Sequence, residues 1–174
     1  MIEYFTKAVV LDREPKGEVD ATLSLYTRGL GRVYAVVKGI DRITSKLSGH
    51  FVVGNLVEAR LVHKNNLQLV DGLSTRTLPS PELFKFLRFI TRMTPLDEPD
   101  LELWHEVQES VSHSRFDKKT YRRALQVMGF DPMLAKCDNC GSDKIAYFHP
   151  ADIMFLCSDS VWKLKIPLDE LVEV

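Results

Sequence analysis

Three residues set the chemistry open to this sequence. Cys137 and Cys140 frame the stretch Cys-Asp-Asn-Cys, and Cys157 closes Ile-Met-Phe-Leu-Cys after an aromatic run from Ile145 to Pro150. A Cys-x-x-Cys turn presents two thiolates to one ion, and two such turns at the tips of two hairpins complete the tetrahedron of a zinc ribbon. The second turn carries a single cysteine, with Ser160 at the fourth position. A neutral hydroxyl is a poor zinc ligand. The spacing therefore predicts a degenerate site of Cys137, Cys140 and Cys157, with Asp159, His149 or water as fourth donor, or else a hairpin that persists without metal. Zinc would be structural there, because so short a ribbon is too small to fold on its own core. Three cysteines cannot all pair within one chain, and in a reducing compartment Cys-x-x-Cys points to metal or redox chemistry before a disulfide framework.

Signatures of catalysis are weak. His105-Glu106-Val107-Gln108-Glu109 begins like a zinc-protease helix, but Glu109 stands where the second histidine is needed. Lys136 rather than proline precedes Cys137, and no His-x-Glu lies upstream, which excludes the nucleobase-deaminase pattern. A Cys157 nucleophile assisted by His149 would rest on two residues of a short apolar hairpin. The expectation is a protein that is not an enzyme.

A second constellation is electrostatic. The chain carries a net charge of −1, yet between Arg28 and Lys46 the only acid is Asp41, against Arg28, Arg32, Lys38, Arg42 and Lys46. Such a stripe suits a surface meeting phosphate, and equally a solvated face. Within it, period-two alternation sends Val33, Ala35 and Val37 to one side of a strand and Arg32, Tyr34, Val36 and Lys38 to the other. The second side sets an aromatic ring between two cations, the combination that stacks a base while neutralising the backbone beside it. The competing reading is an exposed strand whose Tyr34 covers a neighbour.

The elements that must position these residues divide the chain. Residues 1–78 hold five segments rich in β-branched and aromatic residues, separated by turn chemistry at Gly17, at Gly29 and Gly31, and at Asn65-Asn66. With a longer polar connection between the third and fourth, they suggest a small closed barrel of the OB type, one topology among several. After Pro79 the periodicity turns helical. Ser80 and Pro81 open a helix with Leu83, Phe84, Leu87 and Ile90 at three- and four-residue spacing, and Leu101, Trp104, Val107, Gln108 and Val111 mark a second. A third runs from Asp117 to a Gly129 cap and displays Lys118, Lys119, Arg122 and Arg123, same-sign pairs that invite an anionic partner or simply face water. The expected class is α+β: an OB-fold barrel over 1–78, a short helical domain over 79–135, and a zinc-ribbon-like element with a C-terminal tail over 136–174.

Composition is ordinary and globular, at 45% hydrophobic and 27% charged. No apolar run approaches the ~20 residues that cross a bilayer, and the N-terminus lacks the basic-then-apolar order of a signal peptide. A cytoplasmic location is expected.

The stretch from Pro15 to Phe51 resembles the N-terminal signature of RecO, the bacterial recombination mediator family. The matching features are Gly17-Glu18-x-Asp20, the Tyr26 to Gly31 hairpin, Val37-Lys38-Gly39, and Ser45-Lys46-Leu47. Met128 to Gly141 is similar to the family's junction between helical domain and ribbon. The resemblance implies an OB barrel that binds single-stranded and duplex DNA, a helical middle, a four-cysteine ribbon, strand annealing, and RecA loading with RecR. It also implies contact with single-strand-binding protein. Two departures stand out: the helical part, from about Ser80 to Gly129, is shorter than the family's usual one, and Ser160 replaces the fourth cysteine. The other reading is a shortened OB and ribbon module that works as a protein-interaction adaptor with weak DNA binding.

Overall fold

A computed structural model describes every residue except Arg76, the last of the fifth strand segment read from the sequence. The chain forms two compact units, residues 1–114 and 115–174. The first is built on strands β1 (Ile2–Lys16), β2 (Asp20–Thr27), β3 (Gly31–Val37), β4 (Leu56–His63) and β5 (Leu67–Thr75), closed in the order β1-β2-β3-β5-β4. This is the OB-type barrel expected. β1 is long enough to pair with β4 through Ile2–Val9 and with β2 from Ala8 onward, and a bulge between Val10 and Asp12 lets it turn from one partner to the other. Closure comes from a short parallel pairing of β3 with β5, at Val36 with Gln68 and Val37 with Leu69.

Alternation fills the barrel. Leu23, Leu25, Val33, Ala35, Val37, Ala59 and Leu61 all point inward and are buried. The connection between β3 and β4 contributes Ile40 and Phe51, each fully buried, as a plug. Phe51 explains a glycine in the middle of β5: a Cβ on Gly72 would lie 2.6 Å from the Phe51 ring, so only glycine lets the ring in.

Two helices complete this unit. α1 (Pro81–Met93) is capped by Ser80, whose hydroxyl accepts from the Leu83 amide at 3.1 Å. It buries Leu83, Phe86, Leu87, Phe89 and Ile90. Phe84, expected on that stripe, is 41% exposed, and the stacked pair Phe86 and Phe89 fills the face instead. α2 (Leu101–Ser112) is capped by Asp100 and buries Trp104, which packs against Tyr26 of β2 with ring centroids 6.1 Å apart. Leu101, expected inside, is exposed.

In the second unit, α3 (Lys118–Val127) starts at the Asp117 cap and ends before Gly129, which has φ 86°. Strands β6 (Tyr147–His149), β7 (Met154–Leu156) and β8 (Val172–Glu173) form a sheet in the order β7-β6-β8. Between β7 and β8 lie α4 (Ser158–Leu164) and a 3-10 turn, Leu168–Glu170. The second cysteine knuckle is thus not a hairpin tip: Cys157 caps α4, its sulfur accepting from the Ser160 amide at 3.4 Å. Among the described residues no helix is long and apolar enough to cross a membrane.

Candidate functional site

On the barrel, the geometry begins with the turns around β3. Thr27 closes the β2–β3 hairpin twice over: its hydroxyl donates to the Gly31 carbonyl at 3.0 Å and accepts from the Leu30 amide at 2.9 Å. At the other end of β3, Asp20 accepts from the Gly39 amide at 2.8 Å, and the Asp41 amide donates to the Val19 carbonyl at 3.0 Å. The motif residues at 17–20 and at 37–39 are therefore one turn pair, holding the start of the β3–β4 connection against the β1–β2 turn.

The outer face of β3 carries Arg32, Tyr34 and Val36, as the alternation requires, while Lys38, expected on the same face, lies in the turn just after the strand ends at Val37. Tyr34 is 50% exposed, which leaves half of its surface open to a partner. The Arg32 guanidinium lies 6.0 Å from the Tyr34 ring centroid, at the outer reach of a cation–π contact. Arg32 also has a structural tie, since its Nε donates to the Thr94 carbonyl at 2.9 Å while its own carbonyl accepts from the Asp97 amide. Lys38, Arg42 and Lys46 are exposed. Arg42 folds back over the turn, with its guanidinium end beside Gly39. Arg28 sits apart from this group, in the hairpin, where it lines a groove with Phe5, Lys7, Arg60, Leu73 and Leu101.

Two features were not read from the sequence. Arg13 of β1 pairs with Asp41, so the stripe's one acid is already neutralised by a cation 28 residues away. The groove beside Arg28, about 890 Å³, exposes Phe5 by 78% and Leu73 by 67% between the ion pairs Lys7–Glu58 and Arg60–Glu3. Its apolar members alternate with charges along β1, β4 and β5, so no single segment stands out as hydrophobic.

In the second unit, the sulfurs of Cys137, Cys140 and Cys157 all lie within 4.8 Å of one another. The first knuckle is held by hydrogen bonds from the Gly141 amide to the Cys137 carbonyl at 2.7 Å and from the Phe155 amide to Asp138 at 2.6 Å. Cys140 Sγ and Cys157 Sγ are 3.6 Å apart. A tetrahedral ion with Zn–S bonds of about 2.3 Å needs an edge of ~3.8 Å, so the donor set fits zinc. The Ser160 hydroxyl stands 3.2 Å from Cys137 Sγ and 3.3 Å from Cys157 Sγ, and the residue is 1% exposed, so it sits against two of the three sulfurs. His149, weighed as that donor, faces elsewhere: its Nδ1 lies 3.0 Å from Asp152 and its Nε2 3.5 Å from Glu170. Burial alone would push the Cys137 thiol up. The Ser160 hydroxyl and the amides of Cys157, Asn139 and Cys140 outweigh it and bring the thiol down to about 6, toward the thiolate that a metal requires.

These elements can be set beside known proteins. Residues 1–77 match the family model described as Recombination protein O N terminal. The DNA repair protein RecO of Chlorobium phaeobacteroides is 25% identical over 171 residues, which cover 87% of this chain and 66% of that protein. The DNA repair protein RecO of Syntrophobacter fumaroxidans is 28% identical over 156 residues, 78% of this chain and 61% of the relative. That of Cutibacterium acnes is 39% identical over 70 residues, 40% of this chain and 28% of its own. The chain therefore spans 66% and 61% of the length of the first two relatives. The chain is thus similar to RecO proteins on two counts: the family's N-terminal domain matches its barrel, and the similarity to DNA repair proteins RecO runs on into the second unit.

Proposed function

We propose that this protein is a cytoplasmic, non-enzymatic factor of recombinational DNA repair that binds single-stranded and duplex DNA, promotes strand annealing and assists RecA loading with RecR. The observation that carries the reading is the outer face of β3 with the turn just after it: a half-exposed Tyr34 between Arg32 and Lys38, continued by Arg42 and Lys46, with Asp41 neutralised by Arg13. Annealing on such a surface needs no catalytic group. Cations lower the repulsion between two strands, and weak, exchangeable contacts let them search register. Fluorescence anisotropy with labelled oligonucleotides tests it through one residue. Tyr34→Ala should lose on the order of 1–3 kcal/mol on single strands, with little change on duplex, because a stacked base exists only on the single strand. Equal losses on both would mean that Tyr34 serves the fold.

Zinc would be held by Cys137, Cys140 and Cys157, with the Ser160 hydroxyl or a water completing the shell, and would fix the two knuckles of the ribbon. A full set of four strong ligands is worth about 10–16 kcal/mol in small structural sites. Restoring one by Ser160→Cys should therefore tighten zinc on the order of a hundredfold and raise the melting temperature of the zinc-loaded protein. Competition with a chromophoric chelator reads the first and calorimetry the second. Equal affinities would remove Ser160 from the fourth corner.

The adaptor reading draws on the groove around Phe5 and Leu73, whose exposed apolar side chains suit a protein partner such as RecR or single-strand-binding protein better than a phosphate backbone. Feeble, salt-insensitive DNA binding would favour it.

A further inference from the structure

The three sulfurs of the ribbon are not equivalent. Cys137 and Cys157 are both buried, each with its sulfur beside the Ser160 hydroxyl, at 3.2 Å and 3.3 Å, and each accepting one amide, from Cys157 at 3.3 Å and from Ser160 at 3.4 Å; what separates them is contact with the third sulfur. Cys140 is exposed at the rim of the knuckle. Its sulfur touches Cys157 Sγ at 3.6 Å, about the van der Waals contact of two sulfurs. Because Ser160 replaces a fourth thiolate, no further cysteine competes for either partner. One cysteine is reachable from solvent and a second waits behind it, the arrangement of a peroxide-oxidised thiol with its resolving thiol.

We propose that Cys140 and Cys157 form an oxidisable pair that closes to a disulfide in the metal-free protein, while Cys137 stays reduced. The inference rests on the cluster for which zinc is proposed but does not require the ion, since metal and disulfide claim the same two sulfurs. The oxidant is hydrogen peroxide. Cys140 Sγ attacks the distal oxygen, the O–O bond breaks, and one water leaves with the thiol proton, giving a sulfenic acid. Cys157 Sγ then attacks that sulfur, the S–O bond breaks, and the hydroxyl departs as a second water with the Cys157 proton. Two thiols and one hydrogen peroxide become one disulfide and two waters. The pairing would lock the first knuckle to the start of α4 and exclude metal until a dithiol reductant reopens it.

The full chain, reduced, stripped with a chelator and desalted, is treated with stoichiometric hydrogen peroxide, alkylated, digested without reductant and mapped by mass spectrometry. The expected product links the Cys140 and Cys157 peptides within one chain, leaves Cys137 alkylated, and reverts with dithiothreitol. Cys137→Ser keeps the link and Cys140→Ser abolishes it. A link that includes Cys137, a link between chains, or sulfinic acid at Cys140 with Cys157 still free overturns the proposal. Zinc added beforehand at about 100 times its dissociation constant should slow closure about a hundredfold. Closure at an unchanged rate would overturn the exclusion of metal by the pair and the zinc reading together, whereas failure of the link without metal overturns the disulfide alone.

Discussion

Replacing Gly31 with alanine should unfold the first unit more readily than any single change to its surface. The residue has φ 69° at the start of β3, and a Cβ there would lie 2.2 Å from the Glu98 carbonyl oxygen and 2.8 Å from the Pro99 nitrogen. Both are backbone atoms, which cannot rotate away. The left-handed conformation costs about 1–2 kcal/mol for a residue with a Cβ, and relieving the clash must move the hairpin away from the connection between α1 and α2. That movement would break the hydrogen bond from the Asp97 amide to the Arg32 carbonyl and the one from Arg32 to the Thr94 carbonyl. A total of about 3 kcal/mol or more follows, which for a unit of this size lowers the melting temperature by roughly 10 °C. Gly29, two residues earlier in the same hairpin, has negative φ, and a Cβ added to it would meet no atom within 4 Å. Gly29→Ala should leave the melting temperature within a degree or two, about ±0.5 kcal/mol. Urea denaturation of both variants checks this. Equal stability would mean that the hairpin does not press on the connection.

The second large effect concerns binding. Lys38, Arg42 and Lys46 are exposed cations in which the structure shows no ion pair among the described residues, whereas Arg32 also braces the Thr94 carbonyl. The triple variant Lys38→Ala, Arg42→Ala, Lys46→Ala therefore removes charge without removing support. At about 1 kcal/mol per lost contact, the upper end for an exposed ion pair, affinity for DNA should fall about a hundredfold at low salt. The loss should be the same for every base sequence, since phosphate contacts carry no sequence information. Unchanged melting of the variant separates lost binding from lost structure.

How much of this was legible beforehand depended on the range of the interaction concerned. The two faces of β3 could be read residue by residue because strand alternation is a local, period-two property, and Val33, Ala35 and Val37 are indeed inside. Caps at Ser80 and Asp117 were equally local. A closed barrel was suggested by the number and spacing of the strands, but not the pairing that closes it, since two parallel rungs between β3 and β5 leave no mark in either segment. The core stripe of α1 was read with Phe84 inside, because four closely spaced apolar positions, Leu83, Phe84, Phe86 and Leu87, fit more than one helical face, and the stacking of Phe86 on Phe89 decides between them. At the site, the cysteine trio was visible from spacing alone. The helical form of its second knuckle was hidden by the shortness of α4, and the removal of His149 from it depends on Asp152 and Glu170, two carboxylates that only the fold brings to the ring. Likewise Asp41 looks like a break in a basic stripe until the fold sets Arg13 beside it.

The central claim is that the barrel meets DNA through the β3 face and the connection that follows it. A salt titration of binding, with the unaltered protein and the triple variant compared on one duplex and one single strand, tests it most directly. Each phosphate contact contributes a slope of about −0.9 in log affinity against log salt on duplex and about −0.7 on single strands. Binding should weaken steeply with salt, and the triple variant's slope should be shallower by about 2.7 on duplex and about 2.1 on single strands. Parallel lines for the two proteins, or binding indifferent to salt, would contradict it.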